Sequence, residues 1–207
     1  SKITFSEIIT DSRSAGFAEN ALFACIKGDR HNGHIYIRDL YAQGCRCFLV
    51  SEEHAYYDEL KEASFIHVKN TLEALQHLAA HKRSQFTLPV LGITGSNSKT
   101  IVKEWLWQLL EPDLSICKNP KSYNSQIGVP LSVWQLNLQH NFALFEAGIS
   151  LPGEMVKLEP VIKPTLGLIT NIGSAHDENF KSRKQKAEEK LKLFKNCKTV
   201  FYCSDHK

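Results

Sequence analysis

The chain has 207 residues, 43% hydrophobic and 23% charged, which suits one or two packed domains and excludes a disordered chain. Its longest apolar run, residues 21–26, is far shorter than the roughly 18 residues a membrane helix needs, and the first ten residues lack a basic stretch followed by an apolar core. Neither a membrane span nor a secretory leader is expected, so the expected compartment is the cytoplasm. The formal charge is +3, but residues 181–198 hold eight basic and two acidic side chains, leaving the remainder at −3; no nucleic-acid partner is expected.

In chain order, residues 21–26, 46–50 and 65–68 read as short strands of a first unit. Between the first two, Ile37, Leu40 and Tyr41 give a helical face that Gly44 terminates. Thr71 is expected to cap a helix with Leu75, Leu78 and Ala79 on one side, Glu73 near its start, and Lys82 and Arg83 near its end. A polar connection at 84–87 precedes Pro89 and a change of pattern, so the domains are placed at 1–85 and 86–207. Strands are then expected at 89–94, 114–117, 142–146, 166–170 and 199–203, separated by helix-length segments. The fold class is α/β: a small α/β domain, then a doubly wound parallel sheet whose ligands sit beyond the carboxyl ends of its strands. The second domain looks incomplete, which suggests a fragment of a longer protein. Cysteines at 25, 45, 47, 117, 197 and 203 include no C-x-x-C pair and are expected to be reduced and mostly buried, with no zinc site.

The strongest chemical signal is V-L-G-I-T-G-S-N-S-K-T-I-V-K-E-W at 90–105: a strand, a turn of small residues, and a helix expected to bury Ile101, Trp105 and Leu109. Gly95, Ser96, Asn97, Ser98 and Lys99 would wrap backbone N–H groups around a phosphate. The helix N-terminus adds its dipole, Lys99 a point charge, and the Thr100 hydroxyl reaches Mg²⁺. Ser98 stands where the phosphate-loop pattern has glycine, and a non-glycine residue at positive φ costs about 1–2 kcal/mol. The plainer alternative is an ordinary strand-turn-helix with a solvated lysine. Glu146, at the end of the strand 142–146, is placed to hold Mg²⁺, although such a glutamate is often only a surface residue. Asn171 and His176 stand at a third strand end. The basic segment 181–198 reads as a helix with Ala187, Leu191 and Phe194 buried and most lysines solvated.

Taken in order, D-S-R at 11–13, A-L-F-A-C-I-K-G at 21–28, G-H at 33–34, G-I-T-G-S-N-S-K-T at 92–100, S-Y-N-S-Q-I-G-V-P-L-S at 122–132, E-A-G at 146–148 and T-N-I-G-S-A-H at 170–176 resemble the Mur ligase family. These are ATP-dependent amino-acid and peptide ligases of bacterial cell-wall synthesis. The resemblance covers nearly the whole chain and is nearest to members that join D-Ala-D-Ala to UDP-MurNAc-tripeptide. It implies a three-domain enzyme with the first domain whole here, the second cut short and the third, amine-binding domain missing, so these residues alone are expected to be catalytically silent. It implies that Ser12, Arg13 and Lys27 contact the uridine nucleotide and that Asn124 and Ser125 line the substrate channel. ATP falls to residues 95–100 and Asn171; a first Mg²⁺ falls to Thr100 and Glu146, and a second to His176. Lys190, four residues before Phe194, fits the place of a carbamylated lysine, whose negative charge suits a site near two Mg²⁺ ions. The implied catalytic groups are Lys99, Lys190 and His176, and the implied reaction passes through an acyl phosphate. A fused alanine racemase occurs in some relatives. The competing readings are a different ligase of the superfamily, including its folate branch; a non-catalytic UDP-sugar-binding module with a decayed loop; and a generic P-loop NTPase.

Overall fold

The structure is a computed structural model describing residues 4–13, 20–29, 31–173 and 177–205. It divides into two compact units between Leu75 and Gln76.

The first unit contains β1 (Glu7–Ile9), β2 (Ala21–Ala24), a hairpin of β3 (Lys27–Gly28) and β4 (His31–Asn32), α1 (Ile37–Ala42), β5 (Cys47–Val50) and β6 (Ser64–His67). β1, β2, β5 and β6 pair in that order, all parallel. Every residue of β2 and β5 is buried, which is why both read as unbroken apolar runs. Phe23, Ile37, Leu40, Phe48 and Val50 form the core, and Gly44 ends α1 at φ +100°. Buried His34 ties the hairpin to β5: its Nε2 accepts from Ser51 N at 3.0 Å, so Nδ1 carries the proton and donates to Asn32 Oδ1 at 2.7 Å. Burial also lowers its pKa, so the G-H motif serves the fold here.

The division falls within α2 (Thr71–Ser84). Thr71 is not its cap. Asn70 Oδ1 accepts from Leu72 N and Glu73 N at 2.9 and 3.1 Å, while the buried Thr71 hydroxyl donates to Cys25 O at 3.0 Å. Asn70 already meets these first-turn amides, and Thr71, the first helical residue, uses its hydroxyl proton to tie the helix to a buried carbonyl.

The second unit continues with β7 (Val90–Thr94), α3 (Lys99–Leu110), β8 (Ile116–Lys118), α4 (Gly128–Trp134), β9 (Phe142–Glu146), α5 (Glu154–Ile162), β10 (Leu166–Ile169), α6 (Arg183–Leu191) and β11 (Thr199–Phe201). Its sheet is wholly parallel in the order β11-β10-β7-β9-β8. From β7 the chain crosses to the β8 edge and returns through β9. It then passes β7 to reach β10, so the strand order reverses at β7, and the crevice beyond its carboxyl end is the expected ligand position of such a sheet. One face is packed by Val129, Val133, Met155, Leu158, Leu193 and Phe194.

α3 covers the other face, but in a different register from the one its sequence suggests. Ile101, Trp105 and Leu109 are 54, 64 and 73% exposed; Val102, Leu106 and Trp107 pack on Leu91, Ile93 and Leu144 instead. The sequence offers two apolar stripes one residue apart, and the sheet takes the one that places Lys103 inward. α6 is shifted likewise. Its buried residues are Lys186, Glu189 and Lys190, with Phe194 buried just beyond it. Ala187 and the exposed Leu191 line a cleft of about 610 Å³ with Thr170, Asn171 and Tyr202. Buried charges here have partners: Glu189 accepts from Gly153 N and Met155 N at the start of α5, and Lys186 donates to Gly173 O and Asp177. Cys25, Cys45, Cys47 and Cys117 are buried, Cys197 is half-buried and Cys203 exposed, all as free thiols.

Candidate functional site

The site grows from the end of β7. Gly95 has φ +151°, and a Cβ there would lie 1.9 Å from Thr170 Oγ1, so only glycine fits. The loop is clamped by the exit of β10. Asn171 O accepts from Ser96 N at 2.9 Å, Asn171 Oδ1 from Asn97 N at 3.0 Å, and Thr170 Oγ1 donates to Asn97 O at 2.7 Å. Ser98 completes the turn at φ +64°, ψ +6°, left-handed, with no capping bond from its side chain. The serine therefore takes the conformation for which a glycine would be preferred, and α3 starts at the next residue.

Lys99 folds back over this loop, its Nζ donating to Gly95 O at 3.0 Å and Ser96 O at 3.3 Å. Burial lowers its pKa, opposed by the nearby Glu146 charge. Lys190, from α6, donates to the same Gly95 carbonyl at 3.0 Å. Burial first, then repulsion from Lys99 and Lys186, brings its pKa down to about 8.

Glu146 is wholly buried at the end of β9. Its Oε1 accepts from Thr100 Oγ1 at 3.0 Å and from Asn124 Nδ2 at 2.6 Å. Its Oε2 is buried with no hydrogen-bond partner among the described residues, the Lys103 ammonium standing 3.7 Å away. That oxygen has unused acceptor capacity beside a hydroxyl, and hard oxygen donors of this kind suit Mg²⁺, which takes few protein ligands and completes its shell with water and phosphate. Among the described residues no cluster of three His, Cys, Asp or Glu side chains could hold a metal alone. Thr100 and Glu146 thus fit a Mg²⁺ carried in with a nucleotide. Lys190 in its ammonium form would repel such an ion; as a carbamate it would add two oxygens.

The structure thus gathers Gly95, Ser96, Asn97, Ser98, Lys99, Thr100, Asn124, Glu146, Asn171 and Lys190 around one crevice. Ser125 serves the fold nearby: its Oγ accepts from Gly128 N at 3.1 Å at the start of α4. His176 lies outside the described residues. In the first unit, Arg13 donates to Asp11 through Nε and Nη2, holding that carboxyl at about 2. Lys27 pairs with Glu52 at 2.6 Å, and with Asn32 holds Glu52 at about 2. Ser12 is half-buried between Asp11 and Arg13. Two residues at the crevice escape a motif-based reading. Lys103 has no exposed surface, and buried Asn119 receives Glu146 N at 2.6 Å through Oδ1. The one available signal was a lysine inside the apolar spacing of α3.

Residues 93–207 match the profile of the Mur ligase middle domain, and residues 5–83 that of the Mur ligase family, catalytic domain. A UDP-N-acetylmuramoyl-tripeptide–D-alanyl-D-alanine ligase of Synechocystis sp. is 35% identical over 191 residues, covering 92% of this chain and 41% of that protein. The ligase of the same name from Bacillus subtilis is 31% identical over 191 residues, with the same coverage of 92% and 41%. Among solved structures, MurF from Acinetobacter baumannii superposes with a TM-score of 0.84 at 29% identity, over 92% of this chain and 41% of that one. MurF ligase from Thermotoga maritima in complex with ADP also gives 0.84, at 28% identity, over 98% and 47%. The chain therefore spans about two fifths of the length of the curated relatives it matches.

Proposed function

This chain belongs to the Mur ligase family, and on that premise we propose that it is the UDP-substrate- and nucleotide-binding part of an ATP-dependent ligase joining D-Ala-D-Ala to UDP-MurNAc-tripeptide in the cytoplasm. Residues 1–85 are assigned to the UDP end of the substrate, through Ser12, Arg13 and Lys27, and residues 86–207 to ATP. The observation that carries this reading is the buried Glu146 carboxylate, met by Thr100 and Asn124 at one oxygen and unpartnered at the other, beside the Gly95–Lys99 turn.

The backbone N–H groups of the turn, the N-terminus of α3 and Lys99 bind the phosphates. For this Lys99 leaves the Gly95 and Ser96 carbonyls that hold it now. Thr100 and Glu146 would hold Mg²⁺, with His176 for a second ion; bound there, Mg²⁺ neutralises charge developing on the transferring phosphoryl group. Asn124 fixes the orientation of Glu146, and Asn124 and Ser125 border the path of the peptide. The substrate carboxylate attacks the γ-phosphorus, ADP leaves, and an acyl phosphate results. The amine of the dipeptide then displaces phosphate from that acyl group, losing a proton. Positioning and electrostatics account for most of the acceleration. Lys190, with its pKa brought near 8, holds a larger share of neutral amine than an ordinary lysine. That amine adds to CO₂ and loses a proton to give the carbamate. The left-handed Ser98 preserves the loop's shape, which supports an intact site over a decayed one.

Calorimetric titration of the folded chain with ADP, with and without Mg²⁺, tests this reading. Binding strengthened by Mg²⁺ and weakened in Glu146→Gln is expected. A folded chain that binds no Mg-nucleotide overturns it.

A further inference from the structure

Lys103 lies three residues after Thr100 on α3, with no exposed surface. Its Nζ donates to Asn119 O at 2.8 Å and to Lys121 O, and stands 3.3 Å from Glu104 Oε1 and 3.7 Å from Glu146 Oε2. Burying an ammonium is costly unless its hydrogen bonds are met and negative charge lies close by; here both conditions hold. A helix position facing a sheet would ordinarily take an apolar side chain, so the charge needs a reason beyond packing.

The carbonyls it holds supply that reason. Lys121 is a non-glycine residue at φ +49°, a strained conformation that persists only when its surroundings enforce it. The segment pinned at Asn119 and Lys121 then delivers two groups to the crevice. Asn119 Oδ1 receives Glu146 N at 2.6 Å while its Nδ2 donates to Tyr123 O at 2.7 Å. Asn124 O accepts from Gly148 N at 2.8 Å, and Asn124 Nδ2 reaches Glu146 Oε1 at 2.6 Å.

We propose that Lys103 is a positioning residue that keeps the segment 119–125 and the Glu146 carboxylate in register with the start of α3. One helix thereby sets both the phosphate turn at its N-terminus and, one turn later, the segment beside Glu146. The proposal rests on the reading of Thr100 and Glu146 as the Mg²⁺ site. Lys103→Met keeps a side chain of similar length and leaves both carbonyls and the Glu146 side without their cation.

The test is Lys103→Met in the 207-residue chain, checked for folding by circular dichroism. Amide exchange across 119–125 should quicken at least tenfold while β7 and α5 stay unchanged. The Mg²⁺ concentration that half-saturates ADP binding should rise about tenfold, the usual scale for losing a group that orients a metal ligand, with Mg-free ADP affinity unchanged. Unaltered exchange at 119–125 overturns the proposal, and so does an equal loss of ADP affinity with and without Mg²⁺, which marks a merely structural lysine. Should the variant not fold, the unmodified ligand-free chain decides. Amides of Tyr123 and Asn124, which donate to Pro120 O and Ser122 O, protected well above coil rates support the proposal, and coil-like exchange at both overturns it. If the unmodified chain binds no Mg-nucleotide, the assignment of the site fails, while exchange in Lys103→Met still decides whether the lysine orders the segment.

Discussion

Replacing Ser98 by glycine should stabilise the second unit. Ser98 sits at φ +64°, ψ +6°, and its side chain makes no hydrogen bond to the first turn of α3. An L-residue in this conformation costs about 1–2 kcal/mol relative to glycine. Glycine loses about 0.4–1 kcal/mol through the greater freedom of the unfolded chain. Because no capping bond is lost, the net gain is about 0.5–1 kcal/mol, or a rise of about 2–4 °C in Tm for a unit of this size. All three tryptophans, Trp105, Trp107 and Trp134, lie in this unit, so urea unfolding followed by tryptophan fluorescence reports on it directly. The midpoint should move up with the slope unchanged. Ser98→Ala is the control: it keeps the Cβ and should stay near the parent. ADP affinity should rise by less than about tenfold, since the net gain of about 0.5–1 kcal/mol is below the roughly 1.4 kcal/mol that a factor of ten requires. A Ser98→Gly chain equal to or less stable than the parent refutes the assignment of strain to this residue.

Gly95→Ala should be far more damaging, because its Cβ would meet Thr170 Oγ1; a loss of about 3 kcal/mol and of nucleotide binding is expected in urea unfolding and calorimetry. Lys190, lowered to about 8 from 10.5, binds fewer protons than its unfolded counterpart between those values, so its contribution to stability should rise with pH across that window and be flat below it. Competitive acetylation read by mass spectrometry should show Lys190 half-reactive near pH 8. Glu52, held at about 2 against an ordinary 4.5, stabilises the first unit above pH 4.5, and that contribution should vanish as pH falls through 2. In Lys27→Met its carboxyl resonance should titrate closer to the ordinary value. Leu106→Ala should cost about 2 kcal/mol while Leu109→Ser changes stability by under about 0.5, which checks the register of α3 by unfolding.

Buried parallel strands were the most legible elements. Phe142–Glu146 has the bounds its apolar run suggests, and β2, β5, β7 and β10 lie within theirs, because strands covered on both faces leave little room for polar residues. β1 and the hairpin β3–β4 left no comparable trace, since three- and two-residue strands are too short for a period to emerge. α3 was legible as a helix but not in its orientation: 101/105/109 and 102/106 share the same four-residue spacing, and which stripe meets the sheet depends on contacts with Leu91, Ile93 and Leu144 and on the carbonyls that receive Lys103, none of them local in sequence. The crevice residues that carry motif chemistry, Lys99, Thr100, Glu146 and Asn171, could be named from their strand ends. Lys103 and Asn119 could not, because their partners are backbone atoms 16 and 27 positions away.

The outward stripe of α3 bears on handling. Three large apolar side chains, one helical turn apart, invite a second molecule to cover them, as would the half-exposed Phe201 at the sheet margin. At millimolar strength, as in spectroscopic samples, the chain should therefore self-associate, and dilution or a mild non-ionic detergent should return it to monomers.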